Sequence, residues 1–268
     1  MTTYSPPHTN RYTAVQSASA FRQQGGDDIM YADVTSEWDV YLLAGVGSRR
    51  TIFSECVKEL QHRLTDNGKI SAIRELFPYG DHTHNFFQQL LQVRKDLYRL
   101  RRAVQFGARA VAAQVRKLSA GRPVIFIGHS GGGVAAYQAA VLLSEEGCIT
   151  DWRVIQVGSP KLPIQREHNH KVHYVVAVNE DGECADYITR LGSWGGICRN
   201  RFGMWYWNRS KYAPKHIIPL TLVGGHQHYF RREAPYVHPE RGSNLVITID
   251  TIWDRVLREI CLPASHVI

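Results

Sequence analysis

Gly128-His129-Ser130-Gly131-Gly132 sets a serine in the pattern G-x-S-x-G. A serine hydroxyl is a weak nucleophile at neutral pH and needs a histidine to take its proton. The pentapeptide alone is a frequent accident of composition. Here it directly follows the apolar run Pro123–Gly128 and opens the small-residue stretch Gly131–Leu143. A serine held on a strained strand-to-helix turn has that setting. Side chains two residues before and after it would crowd the strand and helix, so glycine at 128 and 132 relieves the clash. The first N–H groups of the helix lie unpaired near developing negative charge. The Gly131 N–H is therefore expected to be one oxyanion donor.

Partners for the serine are sought downstream. His226 follows Gly224-Gly225, where a tight loop brings an imidazole back over the turn; His228 is the second candidate. Asp181, in a Glu180-Asp181-Gly182 turn, and Asp186 both follow the apolar run Val172–Val178. The order and spacing leave both carboxylates open.

The elements that must position these groups are legible as periodicity. Asp39–Ala44, Ile70–Phe77, Pro123–Gly128, Trp152–Val157, Val172–Val178 and Ile217–Val223 read as strands. Thr51–Leu64, with Asn67-Gly68 as its stop, the long stretch His84–Leu118 broken near Gly107, Gly131–Leu143 and Ile252–Ile260 read as helices. Strands alternating with helices predict an α/β fold with a mostly parallel central sheet flanked by helices. One domain over 1–268 is expected, with 1–37 as a polar N-terminal segment. Residues 192–215 carry Trp194, Trp205, Trp207, Phe202, Tyr206 and Tyr212 without a clean period. They read as an aromatic-rich cap or lid, or as an insertion packed on the domain.

The chain resembles the α/β-hydrolase superfamily, in particular its lipase/esterase members of the class 3 type. The resemblance rests on VIFIGHSGGGVAA at 124–136, VIQVGSPK at 154–161, ADYITRLG at 185–192 and GGHQHYF at 224–230. It implies an α/β-hydrolase fold and the chain order nucleophile, acid, base. It favours Asp186 over Asp181, because Asp186-Tyr187-Ile188-Thr189-Arg190-Leu191 matches the acid-containing run of that group. Ser130 would then be the nucleophile, His226 the base and Asp186 the acid. By the same analogy the second oxyanion donor comes from the turn Ala44-Gly45-Val46-Gly47, with Val46 first and Gly47 second. The implied reaction is hydrolysis of a carboxylic ester through an acyl-enzyme, with no cofactor. Thioester hydrolysis, acyl transfer and polyester cleavage share that apparatus, and a non-catalytic binding role is the remaining alternative. Trp194, Trp205 and Trp207, with Phe77, Phe86 and Phe87, are expected to build an apolar substrate site.

Composition bounds the rest. With 32 Lys+Arg against 24 Asp+Glu the formal net charge is +8. The cations form small knots such as Arg49–Arg50 and Arg231–Arg232 rather than one tract, so no nucleic-acid partner is expected. Basic residues around 192–215 suit peripheral contact with an anionic lipid surface. Five scattered cysteines without CxxC spacing predict neither a disulfide framework nor a zinc site. The pairs His82/His84, His168/His170 and His226/His228 lack a completing carboxylate or thiolate set, so no metal is expected. No apolar run reaches the roughly 18 residues of a membrane span, and the polar N-terminus shows no secretory signal. A cytoplasmic location is expected, and oligomeric state is open.

Overall fold

In the computed structural model, residues 37–64, 70–98, 105–119 and 121–261 are described. The polar segment 1–36 and the Asn67-Gly68 stop lie outside them.

Six strands form one parallel sheet: β1 (Trp38–Leu43), β2 (Ile70–Leu76), β3 (Val124–His129), β4 (Trp152–Val157), β5 (Val172–Val178) and β8 (His216–Thr221). Their order is β2-β1-β3-β4-β5-β8. Every residue of β3 is buried. That is why it reads as a continuous apolar run, since a strand covered on both faces needs no polar alternation. Successive side chains still part to opposite faces. Tyr41, Leu43, Val124 and Phe126 meet Val111 and Val115 of α3 (Phe106–Leu118) and the alanines of α4 (Gly131–Glu145). Val40, Leu42, Ile125 and Ile127 meet Phe53, and Leu60 of α1 (Ser54–Leu64), and Leu245 and Ile249 of α5 (Asn244–Ile252).

The chain runs from β1 outward to β2, then returns to the other side of β1 for β3. Connections thus diverge between β1 and β3, which opens a crevice at the carboxyl ends of those strands. The parallel order and the serine turn at the end of β3 make this an α/β-hydrolase fold.

The expected break near Gly107 is present, and the start of the closing helix differs from expectation. His84–Leu118 is two helices, α2 (Phe86–Tyr98) and α3. Buried Asp96 accepts the Phe106 N–H and Gly107 N–H, each at 2.9 Å, and so begins a new helix at that point. Gly107 is required there because a Cβ would lie 2.5 Å from the Tyr79 ring. The closing helix starts at Asn244 rather than Ile252, with Ser243 as its cap; it widens to a π turn over Trp253–Leu257 and ends at Cys261. Gly242-Ser243 is therefore the helix entry.

Segment 192–215 contains a two-stranded antiparallel hairpin, β6 (Gly196–Arg199) and β7 (Trp205–Asn208). Its side chains are largely exposed.

Candidate active site

Ser130 has φ 54° and ψ −129°, and it is the one non-glycine residue with positive φ among those described. An L-residue holds such angles only where its surroundings over-determine them. Here the Ser130 N–H donates to the Val157 carbonyl at 2.9 Å. The Ser130 carbonyl accepts from Ser159 Oγ at 2.8 Å and from the Gly133 N–H at 3.0 Å.

Glycines surround the turn because backbone passes where side chains would stand. A Cβ on Gly128 would lie 2.5 Å from Gly133 backbone, and one on Gly132 would lie 2.1 Å from the Leu43 carbonyl oxygen. A third glycine, Gly45, lies against the serine itself: its Cβ would meet Ser130 Cβ at 2.6 Å.

From this turn a hydrogen-bonded series runs inward. Ser130 Oγ lies 3.0 Å from His226 Nε2. His226 Nδ1 lies 2.9 and 3.0 Å from the two oxygens of Asp186. Asp186 is fully buried, and its carboxylate also accepts the Ile188 N–H and the Tyr229 hydroxyl, each at 2.9 Å. A carboxylate is tolerated in the interior only where its lone pairs find donors, as they do here. Asp181, by contrast, is exposed in its turn. His228 accepts the Gly225 N–H on its Nδ1 at 3.0 Å and stacks on Tyr236 at 4.1 Å. It braces the loop that carries His226.

His129 stacks on His226 with ring centroids 4.9 Å apart, and its Nε2–H donates to the His226 carbonyl at 2.9 Å. Burial pushes its pKa down to about 4, so it packs as a neutral ring beside His226.

At the other wall, the Gly47 N–H is taken by Gln89 Oε1 at 2.7 Å. The Val46 N–H has no acceptor among the described residues. Gly131 opens α4, so its N–H has no intrahelical partner.

A cleft of about 670 Å³ contains Ser130 and His226. Val46, Ile52 and Phe230 give it apolar wall, while Arg49, Arg231 and Glu233 stand at its rim. Trp194, Trp205 and Trp207 do not line it. Trp194 is buried edge-on against Tyr174 at 4.8 Å, beneath Lys161. Trp205 and Trp207 stand in solvent on the hairpin. Phe77 packs against the core, and Phe86 lies over Gly47. The expected aromatic substrate wall is therefore replaced by a mixed polar one. The reason is that the hairpin pairs only with itself.

Two supporting residues, Tyr229 and Asn244, carried no signal in the sequence; a third, Cys184, stands two residues before Asp186. Tyr229 bridges Asp186 and the Ala177 N–H. Asn244 accepts the Val223 N–H and donates to the Val223 and His228 carbonyls, fastening the histidine loop. Cys184 reaches the Asp186 carbonyl and Thr189 Oγ1, each at 3.2 Å. Tyr229 and Asn244 act across 16 to 52 chain positions, which a local pattern cannot display. Among the described residues no group of three His, Cys, Asp or Glu side chains is close enough to hold a metal ion.

No family model matches the chain, and no curated protein does. Among solved structures, the lin2722 gene product of Listeria innocua is 12% identical, over 81% of this chain and 93% of that one, with a TM-score of 0.45. The RedJ thioesterase of the prodiginine pathway in Streptomyces coelicolor is 20% identical, over 48% of this chain and 42% of that one, with a TM-score of 0.31. The Vlm2 thioesterase domain is 12% identical, over 86% and 96%, with a TM-score of 0.40.

Proposed function

We propose that this chain is a serine hydrolase that cleaves carboxylic esters through an acyl-enzyme. The observation carrying the proposal is the series from Ser130 Oγ through His226 to buried Asp186, set on the strained Ser130 backbone.

In this reading Ser130 Oγ attacks the ester carbonyl while His226 Nε2 takes its proton. The carbonyl oxygen becomes an oxyanion and is met by the N–H groups of Gly131 and Val46. Asp186 holds the His226 tautomer and stabilises the imidazolium. The C–O bond to the alcohol breaks, and His226 returns the proton to the leaving oxygen. Water then attacks the acyl-Ser130 carbonyl, gives a proton to His226, and releases the acid with Ser130 restored. No cofactor enters these steps. The finer kinship to class 3 lipases rests on the residue runs alone.

The mixed lining and rim charges of the cleft favour short acyl chains over long ones. Thioesters, alcohol acceptors and polyesters would use the same groups, so they belong in the test. Turnover of p-nitrophenyl esters of increasing acyl length, alongside acyl thioesters, is expected to peak on short oxygen esters. Ser130→Ala should remove it by about four orders of magnitude, and Asp186→Ala by a comparable factor, with Asp181→Ala near wild type. Folded wild-type protein that turns over nothing in this panel and resists a fluorophosphonate at Ser130 would overturn the reading.

A further inference from the structure

The hairpin β6–β7 shows solvent a surface that the cleft does not use. Its register pairs Ile197 with Trp207 and Arg199 with Trp205, which places these four side chains on one face. Ile197 is 59% exposed, Trp205 70% and Trp207 59%; at the tip Phe202 and Met204 are 72% and 62% exposed. Five large apolar side chains together at one exposed place are more than scattered surface hydrophobes and mark a contact surface.

Charge identifies the kind of partner. From Tyr187 to Lys215 the chain carries Arg190, Arg199, Arg201, Arg209, Lys211 and Lys215 and no carboxylate, and the next acid is Glu233. Arg199 lies over the Trp205 ring at 5.7 Å and Arg201 over Phe202 at 4.7 Å. The cations thus flank the apolar side chains rather than standing apart from them. An interfacial surface has this arrangement: apolar and indole groups at the headgroup–acyl boundary, cations among headgroup anions.

A second copy of the chain fits poorly, because a twofold contact would set these cations against themselves. Single-stranded nucleic acid is anionic and stacks on aromatics. Ile197 and Met204 offer no ring for a base, and gain by leaving water for an apolar medium.

We propose that this hairpin docks the protein on a bilayer surface that carries anionic headgroups. Phe202, Met204, Trp205 and Trp207 enter the headgroup–acyl boundary, while Arg201 and Arg209 contact the headgroups. This inference stands independently of the hydrolase reading.

The test is flotation of the full chain with vesicles of phosphatidylcholine, alone or with phosphatidylglycerol added. Association is expected to be at least about tenfold stronger with the anionic vesicles and to weaken as salt rises. Trp205→Ala/Trp207→Ala and, separately, Arg201→Gln/Arg209→Gln should each lower it about tenfold. Melting temperature and p-nitrophenyl acetate turnover should stay at wild-type values in both. Lipids brominated on the acyl chain should quench tryptophan fluorescence in the wild type and much less in the double tryptophan variant. The proposal is overturned by absent association, by equal association with neutral vesicles, or by variants that bind like wild type. Binding of a single-stranded oligonucleotide in place of vesicles would also overturn it, as would a dimer that the tryptophan substitutions dissociate. Absence of ester turnover in the wild type would count against the hydrolase reading and leave this one untouched.

Discussion

Gln89 joins α2 to the loop after β1: its Oε1 accepts the Gly47 N–H at 2.7 Å, and its Nε2 donates to the Asp81 carbonyl at 2.7 Å. The amide is buried, so both bonds form away from competing water. With Gly47 engaged, Val46 lines the cleft with an N–H that has no acceptor among the described residues.

Gln89→Leu should therefore loosen the oxyanion loop without removing a reacting group. Misdirected donors act on the transition state more than on substrate binding. The expected outcome is a fall in kcat of about tenfold with KM changed less than about twofold. Steady-state kinetics on p-nitrophenyl acetate measures both, and an unchanged kcat would remove this loop from the oxyanion hole.

Tyr229→Phe removes the hydroxyl that donates to Asp186 Oδ2 and accepts the Ala177 N–H. Burial beside Asp186 raises the Tyr229 pKa, so the group remains a donor through the working range. Its loss leaves a buried strand N–H unpaired and costs about 1–3 kcal/mol of stability. Chemical denaturation should show that loss, and kcat should fall severalfold as Asp186 is held less firmly. Stability equal to wild type would mean that Ala177 finds another acceptor.

Gly45→Ala places a Cβ 2.6 Å from Ser130 Cβ and 3.1 Å from its Oγ. One of the two backbones must shift, and the serine turn is the strained one. Labelling of Ser130 by a fluorophosphonate should slow at least about a hundredfold in protein that still unfolds cooperatively, since a displacement on the order of 1 Å has that effect on an aligned nucleophile. Wild-type labelling would show that the loop yields instead.

His129 contributes a pH dependence of stability. Burial first, and the His226 ring next, hold its pKa near 4, below the ordinary histidine value of 6.5. Between those values the unfolded chain binds a proton that the folded chain does not. Stability is therefore full above about pH 6.5 and declines as pH falls toward 4, by up to about 3 kcal/mol from this group. Half-buried His173, whose pKa is likewise held near 4, adds to the same slope. Denaturant unfolding at pH 7 and pH 5 should show a smaller difference for His129→Asn than for wild type. An equal difference would assign the slope to the other histidines that burial holds low, His173, His168 and His228.

The groups readable in the chain were those whose function imposes a local pattern. Ser130 was legible because a strained strand-to-helix turn demands glycine two residues to either side and an apolar strand before it. The strands were legible because a sheet covered on both faces leaves unbroken apolar runs. The helical stretch 84–118 was legible with a break near Gly107, but the cause of the break was not: Asp96 starts α3 by capping Phe106 and Gly107 from ten and eleven residues away, and helical periodicity does not register such a cap.

Asp186 and His226 occupied a middle ground. Their order along the chain was visible, yet two carboxylates and two histidines satisfied it. Folding separates them by burial: Asp186 turns inward to Tyr229 and His226, while Asp181 stays in solvent. The aromatic side chains do not line the cleft, because composition records that Trp194, Trp205 and Trp207 are apolar and not that the fold buries the first and that the hairpin turns the other two to solvent. What the chain's own order and spacing establish is a parallel α/β sheet with a serine turn at its centre, since both follow from near-neighbour sterics. Which acid meets the base, which N–H remains free and which aromatics face water depend on contacts between residues 40 to 100 positions apart, and those exist only once the sheet has brought its strand ends together.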